Sequence, residues 1–302
     1  MAVVAATQRG RMRELIGRDP IGYAFVAPYV IFLAGLFGYP LLLALYISFF
    51  DYFFAAPGAQ VERPFVGLDN YAQILSDPVF QRALLNVAEF IIINVPLTVV
   101  LSLVLASALN AKLPFRTFFR VAYYIPFVTA SVAVIGVWLW LFSGSGLLNG
   151  VLGPLAPEPS WLVSEFWAMP VIAIVVTWKQ LGFYVLLYLA ALQNIPRELY
   201  EAAEVDGAGV IRRFMAVTVP GVRPATTLVV ILATIVGANL FTEPYLLTGG
   251  GGPNGASMSP VLLMYREGIE QGHAGYAAAL GVILAIGVMA ISAVNRFVLE
   301  KE

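Results

Sequence analysis

Six stretches of nineteen or more residues in this 302-residue chain contain no Asp, Glu or Arg, and only one of them contains a Lys. A helix needs about 20 mostly apolar residues to cross the roughly 30 Å hydrocarbon core of a bilayer. The runs lie at about 22–50, 90–111, 121–142, 167–189, 224–242 and 276–295, and the lone lysine is Lys179 in the fourth. Composition excludes the obvious alternative of a soluble domain. Charged residues make up 12% and hydrophobic residues 60%, against about 25% and 45–50% in soluble domains. A net charge of −1 gives no polybasic surface for nucleic acid. The absence of cysteine removes disulfides, thiolate metal sites and a thiol nucleophile. The expected class is an all-α, polytopic membrane protein with six transmembrane helices.

One further uncharged run, Pro244 to Tyr265, is not expected to span. It contains TGGGGPNGASMSP, and a backbone so interrupted would leave polar groups unpaired in lipid at several kcal/mol each. It reads as an external or re-entrant loop. Orientation follows from the basic residues, which cytoplasmic loops collect. Thirteen of the 17 Lys and Arg fall on one side of the six spans and three on the other. Both termini are therefore expected in the cytoplasm. Residues 1–20, with Arg9, Arg11, Arg13 and Arg18, would form a cytoplasmic tail, and 21–302 a single transmembrane domain. The first run is too long for a signal-peptide core and should persist as an uncleaved anchor.

Catalytic signatures are missing. No Gly-Lys pair exists for a phosphate-binding P-loop, no Ser sits in a GxSxG turn, and a single His cannot form an HExxH zinc site. His273, between glycines in an outer loop, reads as solvated, and Glu158 and Glu165 as polar surface. No catalytic residue, metal ligand or bound cofactor is expected in this chain.

The informative segment is the longest cytoplasmic loop, 190–223. Pro196 suits a helix start. Arg197 to Val205 carries acids at Glu198, Glu201 and Glu204, with Leu199, Ala202, Ala203 and Val205 on an apolar side. Gly207 and Gly209 permit reversal, because glycine tolerates positive φ. Val210 to Val219 would form a second helix, with Val210, Phe214 and Val217 on one stripe, ended by Pro220 and Pro224. The pattern alone is compatible with a mere connector between two spans.

Specific residues say more. Glu201-Ala202-Ala203, then Asp206-Gly207-Ala208, Phe214 and Pro220, resemble the EAA loop of ABC-importer permeases. The preceding Leu192, Ile195 and Pro196 fit it, as do Pro40 with Ser48-Phe49, Gly67 to Tyr71, Arg116 to Arg120 with Tyr124 and Pro126, Trp138, and Leu247 to Gly250 with Pro253. From about Gly22 to Asn295 the chain is similar to carbohydrate-importer permeases of the maltose or glycerol-3-phosphate type, in particular the first of the two paired permeases. That resemblance implies a type I importer fold in a prokaryotic plasma membrane. It implies a second permease, two cytoplasmic ATPase subunits carrying ATP and Mg, and an extracytoplasmic solute-binding protein as partners. In this family the hairpin docks on the ATPase, which assigns Glu201, Ala202, Ala203, Asp206, Gly207, Ala208, Arg212 and Phe214 to coupling. Arg212 and Arg213 would pair with acids on that partner or simply serve as cytoplasmic surface charge.

Solute contacts are expected in two stretches. The first holds Trp178, Lys179, Gln180 and Tyr184; the second holds Asn239, Thr242 and Glu243. An ionisable residue within a span is a functional candidate by default, and aromatic faces beside amides suit sugars. Ordinary helix packing competes as the role of Trp178 and Tyr184, helix–helix pairing or snorkelling as that of Lys179, and interhelical hydrogen bonding as that of Asn239. The expected function is a permease subunit of an ATP-driven importer for a sugar or sugar-like solute. Its alternatives are a permease for glycerol-3-phosphate, a polyamine or an amino acid, or an ion-coupled secondary transporter. Against the last, Glu89 and Glu243 are the only acids in or near the spans.

Overall fold

The computed structural model describes residues 21–55, 58, 61–111 and 114–299. The N-terminal tail with its four arginines, together with Lys112 and Lys301, lies outside the described residues. Among those described there is no β-strand, only two isolated bridges, Phe50 with Phe65 and Phe53 with His273. Four helices are long and apolar enough to cross a membrane, and six spans result if each of two sharply bent helix pairs counts as one.

The first long helix, α1, is Gly22–Ile47. Its ladder passes Pro40 through a π-turn at Ala34–Gly38, where the Tyr39 amide reaches back to the Ala34 carbonyl. That detour removes the clash a proline ring makes with the preceding turn of an α-helix. Helix α2, Asp69–Ser76, leads into α3, Pro78–Asn110. Asp77 caps α3, its Oδ1 accepting from the Val79 amide at 2.8 Å, and Pro78 fills the first helical position. At 33 residues α3 is about 50 Å long. The expected span 90–111 is only its inner part. The run is interrupted by Arg82 and Glu89, both on the exposed side, and the helix continues through them.

Helices α4, Arg116–Val128, and α5, Ser131–Leu141, replace the straight third span expected over 121–142 and meet at 97°. Pro126 removes an amide from the last turn of α4. Thr129 and Ala130 leave the helical conformation, and both the amide and the hydroxyl of Thr129 donate to the Ile125 carbonyl, at 3.1 and 2.7 Å. A six-residue helix α6, Leu147–Leu152, and a loop then lead to α7, Ala168–Gln193.

Helix α7 is the axis of the molecule and pairs most extensively with α3. Its buried side chains run from Ala168 to Leu192. Asn94 of α3 donates to Thr177 of α7 at 2.7 Å, and Thr177 in turn donates to the Ala173 carbonyl. At Gly182 the backbone of α4 approaches so closely that a Cβ would lie 2.1 Å from the Tyr123 carbonyl oxygen. Such hydrogen bonds and small-residue contacts hold helices together where lipid removes the hydrophobic drive.

The coupling-loop region forms α8, Arg197–Val205, and α9, Val210–Gly221, the latter bent by 70° from α10, Arg223–Ala238. The fifth span, expected over 224–242, stops at Ala238, and α11 begins at Thr242 and ends at Leu247. Two elements complete the fold: α12, Pro260–Tyr265, prolonged by a π-turn to Glu270, and α13, Ala274–Leu299.

The glycine segment between α11 and α12 is neither a span nor a free external loop. Gly249, Gly250, Gly251, Gly252 and Gly255 all have positive φ, and the stretch Ala256 to Pro260 is buried. Asn86 of α3 donates to the Gly255 and Met258 carbonyls at 2.7 and 2.9 Å. Irregular backbone of this kind is tolerated at membrane depth only where protein satisfies it.

Candidate functional site

Two sites emerge. The first is the hairpin α8–α9. Helix α8 ends in a Schellman arrangement. Gly207, at φ 72°, is the left-handed residue after the cap. Its amide bonds the Glu204 carbonyl at 3.0 Å, and the Ala208 amide bonds the Ala203 carbonyl at 2.9 Å. Asp206, Gly207 and Ala208 thus stop one helix and aim the next. Glu204 and Arg213 pair across the elbow at 3.1 Å. Arg213, expected either to meet a partner's acid or to serve as surface charge, is paired with Glu204 inside the hairpin, whereas Arg212 stays exposed.

Tyr200, Phe214 and Val217 seat the hairpin on the protein by packing against the cluster of Leu192 and Ile195, and the Tyr200 hydroxyl, 3.0 Å from Thr218 Oγ1, ties the two arms together. Phe214 therefore anchors the inner side. The expected stripe of Val210, Phe214 and Val217 is split, because Val210 points outward. Glu201 and Ala202 are exposed, with Ala203 and Ala208 half-buried. The outer surface is apolar: Val205 and Ile211 are 89% and 80% exposed, joined by Leu199, Val210 and Met215. Exposed large apolar residues clustered on a short, rigid projection mark a surface for a protein partner. Ile211 and Met215 went unnoticed in the sequence, although their i, i+4 spacing puts them on one helical face.

The second site is centred on Lys179, midway along α7. Its ammonium donates to Ser131 Oγ at 2.6 Å and to Glu243 Oε1 at 3.3 Å. Both charged side chains are largely shielded, 14% and 11% exposed. The three residues come from three elements, and the helix breaks deliver two of them. The bend at Thr129–Ala130 presents Ser131 as the first residue of α5, and the interruption after Ala238 presents Glu243 in the first turn of α11, where the helix dipole favours a carboxylate. The Leu240 carbonyl freed by that interruption accepts from Ser259 Oγ, which also caps α12 through the Leu262 amide.

The other expected contacts scatter. Trp178, 42% exposed, meets Trp138 edge-on at 5.3 Å between ring centres. Both line an apolar groove of about 610 Å³ inside the α4–α5 bend, with Phe118, Ile125 and Val137. Tyr184 is buried and donates to Gln180 at 3.2 Å, further along α7. Asn239 is exposed and caps its own helix through the Ile235 carbonyl. Thr242 is half-buried beside Glu243. His273, expected to be solvated, lies 2.9 Å from Glu267 at half exposure.

Comparison with known proteins sets these features in context. Residues 98–301 match the family described as binding-protein-dependent transport system inner membrane component. The chain is 33% identical over 296 residues to the arabinooligosaccharides transport system permease protein AraP of Bacillus subtilis (strain 168), covering 96% of this chain and 92% of that one. It is 32% identical over 295 residues to the lactose transport system permease protein LacF of Rhizobium radiobacter, covering 96% of each. Among solved structures, a chain of a bacterial ABC transporter involved in the import of the acidic polysaccharide alginate superposes with a TM-score of 0.78 at 22% identity. That match covers 96% of this chain and 99% of that chain, and it shows the fold.

Proposed function

The chain belongs to the family of binding-protein-dependent transport system inner membrane components, and from that premise we propose that it is the permease subunit of an ATP-driven importer for a sugar. Relatives at this similarity over nearly the full length are named as permeases for arabinooligosaccharides, lactose and sulfoquinovosyl glycerol. The chain works with a second permease, which shares the translocation path, and with an extracytoplasmic solute-binding protein that delivers cargo. Two cytoplasmic ATPase subunits hold ATP and Mg and hydrolyse it, while this chain contributes no catalytic residue. It resides in the cytoplasmic membrane with both termini in the cytoplasm. Nucleic acid has no part in the cycle.

The mechanism follows from two rigid pieces joined at bends. Val205, Ile211 and Met215 dock into an apolar cleft on the ATPase, with Glu201 and Arg212 at the rim. Closure of the ATPase pair on nucleotide moves the hairpin, and the Phe214 and Tyr200 contacts carry that motion to α7 and α10. Access to Lys179 and its neighbours then alternates between the two sides of the membrane. A partner's ligand shifts a two-state equilibrium, as coupling between sites requires.

The single observation that carries this reading is the hairpin itself, a capped and internally paired projection whose outer face is apolar and bare. Gly207→Pro tests it. Proline fixes φ near −65° and lacks the amide that bonds Glu204, so the elbow cannot form. The variant should insert and assemble in the membrane but lose nucleotide-driven uptake in proteoliposomes. Near-normal uptake would overturn the assignment.

A further inference from the structure

We infer that Glu243 sets the charge selectivity of the solute path, making this chain's half of it electrically neutral and selective for uncharged saccharides. The inference rests on the reading of α5, α7 and α11 as lining that path. Glu243 is the one buried acid or base among the described residues. It lies 3.3 Å from Lys179, which no other carboxylate reaches. The two charges cancel, so a passing solute meets no net field from this site.

Donor accounting sharpens the point. An ammonium carries three N–H groups. Ser131 and Glu243 take two of them, which leaves one for a sugar hydroxyl. Trp178 lies apart from this cluster, in the apolar groove of the α4–α5 bend. One spare donor and no net charge fit a neutral sugar. A uronate, aldonate, sulfonate or phosphate would have to displace Glu243 from Lys179 and leave that carboxylate buried without a counter-charge, which is costly.

Removing either partner should invert the preference in opposite directions. Glu243→Gln keeps the shape of the side chain and leaves Lys179 unpaired, creating an anion site. Lys179→Met leaves Glu243 unpaired, creating a cation site. The importer complex, purified without its binding protein, is assayed by the quenching of intrinsic tryptophan fluorescence. Its probes are lactose, cellobiose and arabinobiose, the matching aldonates, and the doubly deacetylated chitobiose, which is cationic. The native complex should bind at least one neutral disaccharide and disfavour its aldonate. Glu243→Gln should gain about tenfold or more for the aldonate, the scale of a hydrogen bond to a charged group, and lose that gain in high salt. Lys179→Met should gain similarly for the cationic disaccharide. Native binding of aldonate as tight as of its parent sugar, or no gain in either variant, would overturn the inference. The two failures are distinguishable: no neutral-sugar binding by the native complex counts against the path itself, whereas neutral binding that is unaccompanied by charge inversion in either variant counts against Glu243 alone.

Discussion

Helices α1 and α7 have the same length, 26 residues, and opposite fates. The more apolar of the two, α1 with a mean hydropathy of 2.2, buries none of its most apolar stretch in the protein; α7, at 1.7, buries 61%. In water the order would be reversed. In lipid an apolar side chain gains nothing by leaving the hydrocarbon, so the greasier helix stays outside. The helix carrying Thr177, Lys179, Gln180 and Tyr184 moves inward, where those groups find Asn94, Ser131, Glu243 and each other. Polarity, not hydropathy, marks the interior of this protein.

Glycine substitutions break the comparison most sharply. Gly182→Ala on α7 would drive a methyl into the Tyr123 carbonyl, and the rigid backbone of α4 cannot yield. Overpacking of that kind costs about 1–3 kcal/mol or more. A marked fall in thermal stability in detergent and loss of transport are expected. Retention of native melting and uptake would show that the α4–α7 crossing is looser than its geometry.

A smaller effect is expected for Asn94→Leu, which matches the volume roughly and removes the bond to Thr177. Interhelical hydrogen bonds in membranes average about 0.6 kcal/mol and reach about 1.7. A double-mutant cycle with Thr177→Val should recover a coupling in that range, and a value near zero would mean that the α3–α7 pairing rests on packing alone. Least of all is expected from Gly35→Ala on α1, where an added Cβ meets nothing within 4 Å. The melting temperature of the isolated chain should be unchanged. Any loss seen only in the assembled importer would locate the second permease against that face of α1.

The same contrast explains what was legible in the sequence. Counting charges found every long helix, because a charge is what lipid refuses. It failed where the decisive groups are uncharged. The breaks at Thr129–Ala130 and after Ala238 depend on backbone and on hydroxyls, and Asn239, Leu240 and Phe241 include no Gly or Pro to announce an interruption. Start of α3 was misjudged because Arg82 and Glu89 look like an end, yet the helix is longer than the bilayer core and carries them on its exposed side. The two short helices and the glycine elbow of the hairpin were readable because they are local to Arg197–Gly221, whereas its ion pair and its outer apolar face depend on how the two arms meet. By contrast, Lys179 and Glu243 stand 64 residues apart, and nothing local to either names the other. Ser131 was passed over for the same reason, and the pairing of Arg213 went unread because Glu204 lies on the other arm.

The glycine-rich segment that leads into the buried stretch Ala256 to Pro260 has a consequence for the order in which the protein is made. Its carbonyls depend on Asn86, 169 residues earlier in the chain than Gly255. Synthesis runs from the N-terminus, so α3 is already in the bilayer when the five left-handed glycines leave the ribosome. The segment can dock on a finished surface at once and need not wait, unpaired, in lipid. A circularly permuted chain that delivered the glycines before α3 would face the opposite sequence of events, and its yield of inserted protein would report how much the natural order of translation contributes to assembly.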